Sequence, residues 1–140
     1  MTTRELPWIS LRTASGVCAL YLSLHGVWNI YGLDFRIDTL ISVLYCLLPF
    51  LSFFVFLFAR QAKIELSLHI LIAFGYFAAY VFLNWRTCSA FGYCTTVGST
   101  IGTTLETKPV LAAFAVILFT GVAQWFDGRS AAKSQSRPAT

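Results

Sequence analysis

Four uncharged apolar runs constrain this chain more than any other feature. Residues 14–31, 39–59, 66–85 and 109–126 give runs of 18, 21, 20 and 18 residues. A helix of about 20 apolar residues crosses the hydrocarbon core of a bilayer. Ionisable side chains bracket each run: Arg12 and Asp34, Asp38 and Arg60, Glu65 and Arg86, Lys108 and Asp127. Charge is costly at the bilayer centre, so this spacing is the pattern of successive membrane spans. Hydrophobic residues make up 57% of the chain and charged residues 11%. A soluble domain carries about a quarter charged residues, so composition excludes one here.

The sequence therefore predicts an all-α membrane protein. Its expected form is a four-helix transmembrane bundle, up-down-up-down, with helices at about 12–31, 39–59, 65–85 and 109–126. Residues 1–127 form this domain, with one long outer loop at 86–108. The tail, residues 128–140, is polar and poor in apolar residues, and is expected to be flexible. The first run is too long for a signal-peptide core and no small-residue cleavage site follows it, so a retained anchor is expected.

Basic residues set the orientation. Arg4, Arg12, Arg60, Lys63, Arg129, Lys133 and Arg137 share one side, and Arg36, Arg86 and Lys108 the other. The first side is expected to be cytoplasmic, which places both termini there. The expected location is the inner (plasma) membrane, multi-pass, with the lipid bilayer as first partner. The net charge of +4 is thus largely a topology signal. The basic residues are sparse and not interleaved with aromatics, so no nucleic-acid partner is expected.

Within the first helix, Ser15, Cys18, Leu22, His25 and Asn29 follow a three-four spacing that puts them on one face. Ala19, Ser23 and Gly26 beside them are small, as suits close helix packing in lipid. His25 and Asn29 form a candidate intramembrane polar site, because polar groups at that depth mark function. Pro49 predicts a kink in the second helix: it frees the carbonyl of Tyr45, which Ser52 or a neighbouring helix can satisfy. In the third helix, Glu65 and His69 are four residues apart and expected to pair. Gly75 and Ala79 make a small-xxx-small pair.

Two histidines raise the question of haem. His25 lies roughly 17 Å into its helix and His69 roughly 5 Å into a helix running the same way. Some 12 Å apart along the membrane normal, they cannot flank one iron. No set of four zinc ligands is in sight either. The expectation is no metal and no cofactor.

The 86–108 segment holds Cys88 and Cys94, on the oxidising side of the membrane if the orientation above is right. A disulfide between them is expected, contributing roughly 2–3 kcal/mol by the loop-entropy model. It would display Phe91 and Tyr93, with Arg86 beside them, to a partner; Cys18 and Cys46 are expected to stay reduced. Thr95 to Gly98 (TTVG) resembles the start of a potassium-channel filter. Beyond it the chain has Ser99 and Thr100 where that family continues Tyr-Gly, so the resemblance ends after four residues. Val97, Ile101 and Leu105 are spaced by four, compatible with a short amphipathic helix on the outer interface. Asp34, Arg36, Asp38, Arg86 and Glu106 gather on that same side, where exposed salt bridges contribute little.

No motif for nucleophilic or metal-assisted catalysis is present, so the expected function is non-enzymatic. The sequence favours an accessory subunit, or a recognition or immunity-type partner, of another membrane or periplasmic protein, acting through the outer loop. The alternative is a small oligomeric transporter or channel in which His25, Asn29 and Pro49 line a path; homo-oligomers are compatible with either. A lipid-directed enzyme using His25 as base is the third reading.

Overall fold

A computed structural model describes residues 6–32, 39–92 and 97–135. The described chain is helical: α1 (Leu6–Gly32), α2 (Thr39–Phe58), α3 (Ala62–Phe91), α4 (Val97–Leu105) and α5 (Lys108–Gln135). Three helices are long and apolar enough to cross a membrane, over Thr39–Phe58, Ala62–Thr87 and Lys108–Arg129. With 27 residues α1 has the length, but its stripe of Ser15, Ser23, His25 and Asn29 makes it less apolar than the other three.

The four long helices alternate in direction and pack in a ring, with α1 and α3 each lying against α2 and α5. Gly16 faces Phe56, while Gly26 faces Cys46 and Phe50, so α1 and α2 run antiparallel. Ser15 in the first half of α1 meets Thr120 near the middle of α5, with 2.8 Å between the hydroxyls. Gln124, one turn further along α5, donates to the carbonyl of Ala62 at the start of α3, at 2.6 Å. The core is built from small side chains around one large one: Ala19, Leu22, Ala73, Tyr76, Val110, Ala113 and Val116. Small residues bring helix backbones close where no hydrophobic effect drives helices together. The predicted inward stripe of α1 does face this core: Ser15, Leu22 and Asn29 are buried, and Cys18 and His25 half-buried. The outside is apolar, with Val17, Leu24, Leu71, Phe74 and Leu118 all more than half exposed.

Helix ends differ from the sequence expectation in three places. Helix α1 starts at Leu6 rather than near Arg12, because Arg12 finds a partner inside the protein and need not stay outside the helix. Helix α3 runs past Arg86 to Phe91, and stops where Gly92 takes a left-handed φ of 75° and its N–H reaches back to Ser89. Glycine caps helices this way because it has no Cβ to clash. Helix α5 continues through part of the predicted flexible tail to Gln135. Arg129 to Gln135 contain no helix breaker, so a helix already formed extends through them at little cost.

Among the described glycines, Gly26 is the one set against the backbone of another helix. A Cβ there would lie 2.7 Å from the Cys46 carbonyl oxygen and 2.8 Å from the Phe50 nitrogen, both backbone atoms of α2. At Gly75 the nearest atom is the tip of Leu48, which can rotate away. Gly26→Ala is therefore expected to destabilise the protein by roughly 1–3 kcal/mol through overpacking. Gly75→Ala should leave the unfolding midpoint in detergent close to that of the parent, and equal effects at the two positions would contradict the packing described.

Candidate functional site

Close contact at Gly26 sets the register of α1 on α2, and with it what meets inside the ring. Ser23, one turn before Gly26, inserts its hydroxyl into the backbone of α2. It donates to the carbonyl of Phe50 at 2.6 Å, with the Pro49 carbonyl at 3.3 Å, and accepts the N–H of Phe53 at 3.1 Å. Pro49 is fully buried here and α2 remains one helix through it. A neighbouring helix thus supplies the polar partner, one turn beyond the carbonyl that Pro49 frees. Ser52, the other candidate, has a buried hydroxyl with no hydrogen bond.

On the far side of Gly26, α1 contributes His25 and Asn29. The His25 ring stands edge-on to Tyr76 of α3, centroids 6.4 Å apart, and is stacked on Tyr21. Tyr76 is fully buried and stacked on Tyr45 of α2 at 5.3 Å, with Tyr80 against both. Its hydroxyl lies beside the side chains of Asn29 and Tyr45, yet at a geometry that makes no hydrogen bond. His25 Nε2 and Asn29 Nδ2 are buried and unpartnered as well. The antiparallel register puts Ser42, one turn from Cys46, level with Asn29, and its buried hydroxyl is also unpartnered. An unsatisfied buried polar group costs about 1–3 kcal/mol. Several in one place, from three helices, make a site suited to a bound polar species or to water.

A second polar cluster lies at the opposite end of the ring. Arg12 of α1 pairs with Glu65 of α3 at 2.5 Å, its guanidinium over the Phe56 ring of α2 at 4.6 Å. Glu65 is 4% exposed and His69 2%. Glu65 and His69 do face each other as their spacing predicts, with His69 Nε2 3.9 Å from the Glu65 oxygen, but no hydrogen bond joins them. Arg12 holds that same oxygen more closely, since a full positive charge bonds a buried carboxylate more strongly than a neutral imidazole does. The two histidines belong to separate clusters, and among the described residues no three potential metal ligands come together.

Of the predicted outer site, Arg86 is exposed on the last turns of α3. Cys88 and Phe91 lie on the same turns, but the bridge to Cys94 and the display of Phe91 and Tyr93 lie outside the described residues, as do Asp34, Arg36 and Asp38. The short helix expected from Val97, Ile101 and Leu105 is α4. It turns its threonines inward: Thr100 and Thr104 are buried, while Ile101 and Leu105 are exposed. Asn84 of α3 bonds the Thr104 hydroxyl at 3.3 Å.

Sequence reading missed Tyr45, Tyr76, Ser42 and Arg12 as site residues. A signal existed in α2, where Ser42, Tyr45, Pro49 and Ser52 repeat at three-four spacing, and in α3, where Glu65, His69, Tyr76 and Tyr80 are spaced by four, seven and four and so share a face. Comparison with family models, with curated proteins and with solved structures finds no match for the chain.

Ser23→Ala removes the hydroxyl that bonds the Phe50 carbonyl and the Phe53 N–H and should cost about 1 kcal/mol. Ser42→Ala removes a hydroxyl that bonds nothing, so unfolding in detergent should be unchanged or shift toward higher stability. Arg12→Ala strands the Glu65 carboxylate and should cost on the order of 3 kcal/mol. Adding Glu65→Ala should restore much of that loss, and a double variant as unstable as the sum of the singles would rule out the pair.

Proposed function

We propose that the chain is a four-helix transmembrane bundle, up-down-up-down with both termini cytoplasmic, that acts as a small membrane transporter or channel through its intramembrane polar site. The observation that carries this reading is a set of unpartnered buried polar atoms on three helices, with His25, Asn29 and Tyr76 in one cluster and Ser42 near the same level of α2. A helix bundle that needed only to pack would fill these positions with apolar residues, since each unpaired group opposes folding. Such groups inside a membrane protein mark paths for ions, protons or polar substrates.

The tryptophans support α1 as the fourth span. The chain has four, at positions 8, 28, 85 and 125. Trp8 and Trp125 are exposed at the end of the ring where α1 begins and α5 finishes; Trp28 and Trp85 are exposed at the other end. From Trp8 to Trp28 along α1 is about 30 Å at 1.5 Å per residue, the thickness of the hydrocarbon core. Aromatic belts at both interfaces have this arrangement. The face of α1 between them exposes Val17, Leu20, Leu24 and Val27.

The outer segment supports a second reading, an accessory or recognition protein of a membrane or periplasmic partner. Gly92 caps α3 on one side, and the Asn84–Thr104 bond holds α4 on the other. A segment held at both ends loses less entropy on binding.

Single cysteines separate these readings, introduced at His25, Asn29 and Leu71 in a background with the native cysteines replaced. A small, charged thiol reagent should label positions 25 and 29 in vesicles and spare position 71, which faces lipid. Absence of labelling at 25 and 29 removes the transport reading. Retention of a co-purified protein that is lost on Phe91→Ala or Tyr93→Ala would then favour recognition. Cysteines at Ser10 and Lys133 should react from the same side of the membrane and one at Glu106 from the other; any other distribution excludes the topology.

A further inference from the structure

We propose that the species handled by this interior is the proton, passed along a file of side chains that joins the two polar clusters. This rests on the transport reading above and names its substrate. Among the described residues, six buried side-chain atoms have no hydrogen-bond partner: His25 Nε2, Asn29 Nδ2, Ser42 Oγ, Ser52 Oγ, His69 Nε2 and the Tyr76 hydroxyl. They all belong to α1, α2 and α3.

Their order follows from the helix register. Glu65 and His69 stand at one end, at the level of Arg12. Ser52 comes next: it is one turn from Phe56, whose ring holds Arg12, and beside Phe53, which bonds Ser23. Tyr76 follows, two turns beyond His69, in contact with His25 and beside Asn29. Ser42 is level with Asn29 at the far end. From Arg12 to Asn29 the file covers about 25 Å at 1.5 Å per residue, most of the hydrocarbon thickness.

Chemistry selects the proton over a hydrated ion or larger solute. Every unpartnered atom is on a hydroxyl, imidazole or amide, groups that donate or accept hydrogen bonds without carrying a fixed charge. An ion would need charged or multiple oxygen ligands along its way, and the middle of the file offers none. Ala19 and Leu22 of α1 are at most 1% exposed, which closes the level between the two clusters to larger solutes while leaving the half-buried His25 at its end within reach of small ones. Ionisable groups stand at both ends, as proton uptake and release require: Glu65 and His69 at one and His25 at the other, with the Tyr76 hydroxyl as a relay beside it. The side chains facing the first end are Arg12 and Ser15 from α1, Phe56 from α2 and Thr120 from α5. Arg12 is the fixed positive charge among them, and it holds the Glu65 carboxylate. Single waters between rungs would complete the file, each with polar partners on two helices. A proton bound at one end is matched by one released at the other, so nothing is consumed and the direction follows the gradient.

The test uses the full chain in vesicles loaded with a pH-reporting dye, with a potassium gradient and valinomycin supplying the driving force. Parent protein should collapse an imposed pH difference roughly tenfold faster than protein-free vesicles, the order of effect expected of positioned proton donors and acceptors. Glu65→Gln and Tyr76→Phe should each return the rate most of the way to that of protein-free vesicles. Tyr76→Phe keeps the ring and its packing, so a helical, monodisperse preparation of this variant guards against a folding explanation. Ser67→Ala, on the exposed face of α3, should match the parent. Parent flux equal to that of protein-free vesicles overturns the proposal, as does flux that survives both Glu65→Gln and Tyr76→Phe. Thiol labelling at positions 25 and 29 without proton flux overturns the proton assignment and leaves the transport reading standing. Absence of both overturns the two together.

Discussion

The contact between Gly26 and the backbone of α2 is the constraint on which the rest depends. Two helices can touch backbone to backbone only where one of them lacks a Cβ. That contact leaves no freedom to slide: a shift of one residue would drive the Cβ of Val27 or His25 into Cys46 and Phe50. With the register held, Ser23 meets the backbone around Pro49, and His25 and Asn29 turn toward Tyr76. Ser23 and Gly26 act together, one by a hydrogen bond splice and the other by close approach. Both are cheap in lipid, where a missing backbone partner is costly and a small residue is not.

The interior divides polar groups into those that are satisfied and those that are not. Ser15 and Thr120 bond one another, Ser23 serves three backbone atoms, and Arg12 neutralises Glu65. These tie α1 to α5, α2 and α3 in turn and explain why a helix less apolar than its neighbours still packs well. The unsatisfied set lies between them, on the faces of α1, α2 and α3 that look inward. Packing alone would select against it. That contrast, rather than the number of polar residues, motivates the proposed function.

Helix α4 shows how membrane context reverses a familiar pattern. Its apolar residues at 101 and 105 point out and its threonines at 100 and 104 point in. Threonine hydroxyls fold back on their own helix, Thr104 to the Thr100 carbonyl at 2.7 Å, so the inward face is polar in composition yet satisfied in bonding. Spacing by four was enough to foresee a helix. It could not say which face would meet the protein, because in lipid the apolar side has two possible homes.

The sequence by itself determined that this chain is a helical membrane protein, where three of its helices run, and that the face of α1 carrying Ser15, Leu22, His25 and Asn29 turns inward. Those conclusions need only the length of apolar runs and the 3.6-residue period, both local properties. Tertiary structure decided which polar groups meet. Arg12 and Glu65 are 53 residues apart and Ser15 and Thr120 are 105, and nothing local links them. It also moved the helix ends: a charge read as a boundary at Arg12 became interior once a carboxylate from another helix could hold it. That same arginine holds Glu65 more closely than its sequence neighbour His69 does, because a buried carboxylate bonds the strongest partner within reach, and reach is set by the fold.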